Sequence, residues 1–225
     1  MKLTKADLTK QVSQLEDKVR RLKRDISHLQ IDLSPMEYVE RSFDSTIQPN
    51  EHVKQVIDRA ESEWNMNVTE PGLGGDSSRI NLYIKSTDGL GWTWEDNYTK
   101  NGQFAWCGAF ASWCYTKANF KIRQKIFASC YRLWNNWGGT ARKVEEIAIG
   151  DIVVVYTSSD KSPSYGNHIT LALSVPDEDG NFDTIEGNAK GEGPDGDWRE
   201  GVIKRQRSIF DVAHIYRLAS GDYDE

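Results

Sequence analysis

No apolar run in this chain approaches the ~20 residues that a bilayer-spanning helix needs, so no membrane-spanning segment and no membrane partner are expected. The N-terminus is charged and regularly patterned and has no apolar h-region, so no secretory leader is expected. Cysteine is scarce. Three in 225 residues, an odd number in a long chain, argue against a disulfide framework and for reduced thiols, either buried or reactive. Internal repeats and low-complexity stretches are lacking. So are a P-loop, a GxSxG elbow, an HExxH pair and a CxxC motif, which removes the signatures of phosphate-loop, serine-elbow, zincin and dithiol chemistry.

Aromatic residues are plentiful. Eight Trp, nine Tyr and seven Phe accompany a mean hydropathy of -0.64, and so many rings require a packed interior, which excludes a disordered chain. The net charge of -6 is unevenly spread. Residues 1–34 hold eight Lys/Arg against five Asp/Glu, a net of +3, which leaves -9 for the rest. An acidic body of that kind is a poor electrostatic partner for nucleic acid, and none is expected.

The first segment is a heptad pattern. Leu8, Leu15, Leu22 and Leu29 occupy d, and Val12, Val19, Ile26 and Leu33 occupy a, with Lys5 extending the register and no Gly or Pro before Pro35. β-Branched residues at a with Leu at d fit a parallel two-stranded coiled coil about 50 Å long. Lys18 at g would then face Lys23 at e of the partner, so a trimer, an antiparallel partner or a helix docked on its own domain also fits. The run Lys18, Arg20, Arg21, Lys23, Arg24 is interspersed with Glu16, Asp17 and Asp25, and reads as the solvated face of this helix. Residues 1–34 are thus an oligomerisation or docking helix, 35–50 a linker, and 51–220 a globular domain.

In that domain Val53, Val56, Ile57, Ala60 and Trp64 make one apolar face of a helix over 51–65, capped by Asn50. Residues 66–103 are rich in Gly, Asn, Asp and Ser and read mostly as loop, with a short helix or strand near 80–84. Trp106–Tyr115 is apolar on nearly every face, which marks a helix buried at a domain centre. A further helix is predicted over 127–137, ending at Gly138-Gly139. Strands follow at 151–156, 168–175, 182–185, 202–205 and 212–217. Helices first and an antiparallel sheet afterwards make an α+β layout. The loop Asp177–Asn181 is a hairpin turn and not a calcium loop, since Phe182 stands where the sharp-turn Gly belongs. Cys107, Cys114, Cys130 and His168 lack zinc-ligand spacing, so no metal or other cofactor is expected.

Cys107 stands where a polar loop gives way to the buried helix, in its first turn. Unpaired N–H groups and the helix dipole favour thiolate there, and Gly108 leaves room for a substrate. Cys114 and Cys130 read as inert buried thiols. His168 opens a strand directly after a turn and can take the thiol proton and return it to a leaving amine. His28 lies on the heptad helix, His52 opens a surface helix, and His214 sits mid-strand as an ordinary half-buried residue. Glu186 and Asn188, two apart on the next strand, share a face and can both point at His168 as orienting acceptors.

Four segments in order, Trp106-Cys107-Gly108-Ala109-Phe110 with Trp113, Gly150–Val154, Gly166-Asn167-His168-Ile169 and Ile185-Glu186-Gly187-Asn188, resemble the CHAP and NlpC/P60 superfamily over about residues 50–218. These are papain-like amidases and endopeptidases that cut peptidoglycan, and the likeness is nearest to the CHAP-like hydrolases of phages. The resemblance implies a papain-like core, with Cys107 as nucleophile, His168 as base, Glu186 as orienting group and Asn188 as a nearby polar partner. Asn167 departs from the Gly that often precedes the family's His. Some relatives hold calcium in an acidic loop before the Cys, and Tyr98–Ala105 contains no acid. The oxyanion donors would be the Cys107 backbone N–H and, as a side chain, Gln103. Trp92 and Trp94 suit either a sugar-stacking groove or core packing.

The resulting expectation is a peptidoglycan hydrolase on a coiled coil, either a phage lysin moving from host cytoplasm to cell wall or a virion component. Its partners would be peptidoglycan and, through residues 1–34, a second copy or an assembly subunit. A structural virion subunit with a hydrolase-like domain, or a cysteine hydrolase of another amide, are the competing readings. Burying the seam from Leu8 to Leu33 against a partner is its most economical explanation. Sedimentation of the full chain should show a dimer, a trimer or a hetero-assembly, and removal of residues 1–34 should give a monomer. A full-length monomer would refute the assembly role.

Overall fold

Alternation and turn chemistry in the second half of the chain resolve, in a computed structural model, into a five-stranded antiparallel sheet covered by helices from the first half. The structure describes residues 51–71, 77–87, 105–120, 122, 124–137, 143–164 and 166–218. The predicted coiled coil, the linker, the Asn50 cap, Gln103, Trp92 and Trp94 lie outside the described residues. The elements are α1 (Glu51–Asn65), α2 (Ser77–Lys85), α3 (Cys107–Lys117), α4 (Cys130–Asn136), β1 (Ile152–Val155), β2 (His168–Ala172), β3 (Asn181–Glu192), β4 (Trp198–Ser208) and β5 (Val212–Tyr216). The sheet order is β4-β3-β2-β1-β5, so the described part of the domain is α+β. No helix among the described residues is long and apolar enough to cross a membrane.

The physical centre is α3. Every residue from Cys107 to Tyr115 is buried. The reason is its setting: α3 lies against β2 and β3 on one side and against α1, α2 and the 3-10 turn Gln124–Ala128 on the others. Val56 and Ala60 of α1 and Ile80, Tyr83 and Ile84 of α2, spaced at helical intervals, cover its outer surface. Ile152, Val154, Ile169, Leu171, Ile185, Val202 and Tyr216 present the sheet side of the same core. The intervening residues Val153, Val155, Ala172, Phe182 and Ile215 form a smaller cluster, as strand alternation requires.

Three boundaries differ from the sequence reading. The short helix or strand expected near 80–84 is a helix and longer, α2, whose Arg79 and Tyr83 both donate to the buried Glu63 of α1. The helix predicted over 127–137 begins as a 3-10 turn and restarts at α4. Ser129 is extended there (φ -165°, ψ 155°), and its Oγ accepts from the Arg132 N–H, so it caps a new helix instead of continuing the old one. β3 and β4 run far beyond 182–185 and 202–205. A bulge at Gly187-Asn188 interrupts their ladder between Glu186–Ile203 and Ala189–Gly201, and Asn188 takes the left-handed φ of 58° that lets pairing resume.

Close approach explains two glycines beside the site. A Cβ on Gly108 would lie 2.0 Å from the Phe127 carbonyl oxygen and 2.8 Å from Ile169 Cδ1. One on Gly187 would lie 2.6 Å from both Phe110 Cβ and Trp106 Cζ3. These contacts clamp the start of α3 between the 3-10 turn and β3. Gly108→Ala should therefore overpack a site walled by backbone and cost about 2–3 kcal/mol. Urea unfolding should show a lower midpoint at unchanged slope, and an unchanged midpoint would contradict this packing.

Candidate active site

Cys107 is the first residue of α3, and Trp106 before it provides no side-chain cap. The start of the helix is held from the sheet instead, where the Trp106 backbone N–H donates to Asn188 Oδ1 at 2.8 Å. The Trp106 indole stacks on Tyr83 at 5.7 Å and donates to Glu70 Oε1 at 3.1 Å. The thiol, fixed in this way, meets the head of β2. It hydrogen-bonds to His168 and also receives the backbone N–H groups of Ile169 and Gly108.

Backbone pairing of β2 with β3 comprises Leu171–Ile185 and Ala172–Thr184. Nearer His168 the connection passes to side chains. His168 Nε2 lies 2.9 Å from Glu186 Oε2, which leaves Nδ1 for the thiol. Glu186 has no solvent exposure. Arg207 of β4 forks onto it, Nε donating to Oε1 at 2.8 Å and Nη2 to Oε2 at 2.7 Å, and the Thr184 hydroxyl donates to Oε1 at 2.7 Å. The chain of contacts therefore runs thiol, imidazole, carboxylate, guanidinium, across α3, β2, β3 and β4.

The electrostatics follow from that order. Burial alone would push the Cys107 thiol up, but the His168 charge and hydrogen bond, with the two backbone N–H groups, bring it below its ordinary value. Burial would push His168 down, but Cys107 and Glu186 outweigh it and raise its pKa to about 9. Burial opposes ionisation of Glu186 too, yet His168 and Arg207 hold it well below the usual carboxylate range. The arrangement favours a thiolate–imidazolium pair. The other two thiols are driven the opposite way. Burial, with the Glu63 charge, raises Cys114, and burial, with the Cys107 charge, raises Cys130.

Of the residues singled out in the sequence, Cys107, His168 and Glu186 come together. Asn188 does not join Glu186 at His168, because the bulge breaks the alternation that would have put both on one face. Its oxygen holds the backbone before Cys107 instead. His214 lies on β5 beside Trp134 and Tyr216, and burial, partly offset by a backbone contact at Ser164, lowers its pKa. Two residues of the site were missed. Thr184 stands two before Glu186 and shares its face, a signal that was there to read. Arg207 had no local signal, since its approach depends on the β3–β4 register. Among the described residues no group of three or more His, Cys, Asp or Glu is placed to hold a metal ion.

Native protein treated with iodoacetamide at neutral pH should label Cys107 at least about tenfold faster than Cys114 or Cys130, because thiolate is the reacting species. His168→Ala should slow that labelling. Equal labelling of the three thiols, read by peptide mass spectrometry, would place Cys107 among the inert buried cysteines.

Compared with protein-family models, with curated proteins and with solved structures, the chain matches none.

Proposed function

We propose that this chain is a cysteine hydrolase of papain-like architecture that cleaves an amide bond of peptidoglycan through a thioester. The observation that carries the proposal is the hydrogen-bonded series Cys107–His168–Glu186, with the thiol at the start of a buried helix. The Cys107 thiolate attacks the amide carbonyl carbon. His168, protonated, gives its proton to the departing amine as the C–N bond breaks. Neutral His168 then takes a proton from water as that water attacks the thioester, and the thiolate leaves. Glu186 holds Nε2 and keeps Nδ1 turned to the sulfur through both half-reactions. The Cys107 backbone N–H, at the first position of α3, suits the oxyanion.

These residues support the reaction class, and the resemblance to CHAP and NlpC/P60 hydrolases carried by the four segments around Cys107, Asp151, His168 and Glu186 supports the substrate class. In this reading the heptad segment carries the enzyme as an oligomer, or docks it in a virion or other assembly, and so raises its apparent affinity for a polymeric substrate. A phage lysin or virion-associated lysin fits both parts.

A zymogram on purified cell walls tests the proposal. The native chain should clear the wall and Cys107→Ala should not. Undiminished clearing by Cys107→Ala would end the mechanism. The pH dependence has a definite sign. Activity should rise as pH climbs through the depressed Cys107 pKa and fall as it climbs through about 9, where His168 loses the proton it must give the amine. Iodoacetamide labelling should not fall on that upper limb, because thiolate persists there. Parallel loss of labelling and hydrolysis above pH 9 would contradict the acid role of His168.

A further inference from the structure

Glu186 holds more donors than orienting an imidazole requires. One oxygen suffices for His168, and Oε2 already lies 2.9 Å from Nε2. Arg207 nevertheless engages both oxygens at 2.7 and 2.8 Å, and its side chain is itself only 10% exposed. The charged and titratable groups around the imidazole are Cys107 from α3, Glu186 from β3 and Arg207 from β4. Cys130 feels the Cys107 charge, and Arg205, the neighbouring base on β4, turns instead to the Lys190 carbonyl.

Charge balance gives Arg207 a task. In the thiolate–imidazolium state the four groups Cys107, His168, Glu186 and Arg207 sum to zero. When the proton returns to sulfur, or when Cys107 is acylated and His168 is neutral, Glu186 and Arg207 still cancel. Without Arg207 the neutral imidazole would leave a carboxylate of no solvent exposure without a counter-charge, a strongly disfavoured state. The imidazole would then be held protonated and could not accept a proton from water.

We propose that Arg207 is a positioning residue for proton transfer: its fork on Glu186 lets His168 pass between protonated and neutral forms without stranding a buried carboxylate. The consequence for catalysis rests on the hydrolase reading, since it is thioester hydrolysis that needs the neutral imidazole. The electrostatic claim does not.

NMR titration of labelled histidine in the otherwise intact Cys107→Ala chain reads the imidazole without the thiolate. Arg207→Gln should raise the His168 midpoint by about one unit, and Arg207→Lys, which keeps the charge, should leave it within about 0.3 unit. Should Arg207→Gln fail to fold with Glu186 present, the same change in a Glu186→Gln background strands no charge and should still raise the midpoint, by relieving a cation's repulsion. A midpoint that Arg207→Gln leaves unmoved or lowers overturns the proposal, as does a shift with Lys as large as with Gln. In the chain that retains Cys107, Arg207→Gln incubated with wall fragments should accumulate a covalent adduct on Cys107, read by intact mass. If the hydrolase reading is wrong, neither the native chain nor Arg207→Gln forms an adduct while the titration shift persists, so the two failures are told apart.

Discussion

A carboxylate taken fully out of water must find a counter-charge and donors for its lone pairs, and that requirement at Glu186 organises the site. The donors come from three strands: His168 from β2, Thr184 from β3 itself and Arg207 from β4. His168 and Glu186 lie just beyond the Leu171–Ile185 backbone pair of β2 and β3, so side chains take over where the ladder stops. Removing one partner of such a buried pair costs about 3–5 kcal/mol, because the other charge is left stranded. The sheet and the proposed proton path are therefore held by the same four side chains.

The same constraint recurs on the other side of α3. Glu63 of α1, 1% exposed, accepts from Arg79 and Tyr83 of α2. Tyr83 in turn packs its ring against Trp106, Phe110 and Trp113, and Arg79 sits 5.1 Å over the Trp113 ring. This network joins α1 and α2 and presses both on α3 beside Cys107. A third instance stands at the entry to β1, where Arg217 donates Nε and Nη2 to the two oxygens of Asp151 at 2.7 Å each, and Asp151 also accepts from the Ala148 backbone N–H.

What could be read from the sequence follows from how local each determinant is. All-round apolarity marked α3 as central, and the Gly turns located β1 and β2, because both signals lie within the segments themselves. Glu186 was legible as an acceptor near His168 because the two strands follow one another. The length of β3 was not, since Gly187-Asn188 reads as a stop unless it is known that Asn188 turns left-handed and pairing resumes at Ala189. Arg207 was illegible for a related reason. It reaches Glu186 only in a ladder that sets Phe182 opposite Arg207, and no local pattern encodes that register. In α2 the sequence located an element near 80–84 but did not decide between helix and strand, because so short a run is ambiguous and the buried acid that secures it lies in another helix.

Three forked arginine–carboxylate pairs among the described residues raise the question of why only one is proposed to do chemistry. The third partner decides. Asp151 accepts from the Ala148 backbone N–H, which does not titrate. At Glu63 it is the Tyr83 phenol, which burial and the Glu63 charge push far above its ordinary pKa, so it stays protonated and fixed. At Glu186 it is an imidazole, whose second nitrogen faces a thiol at a helix N-terminus. There the buried carboxylate touches a group that can gain and lose a proton, and that group touches a thiol. A device that elsewhere in the fold supplies rigidity becomes, with a histidine as its third partner, a setting in which a proton can move while the surrounding charges stay balanced.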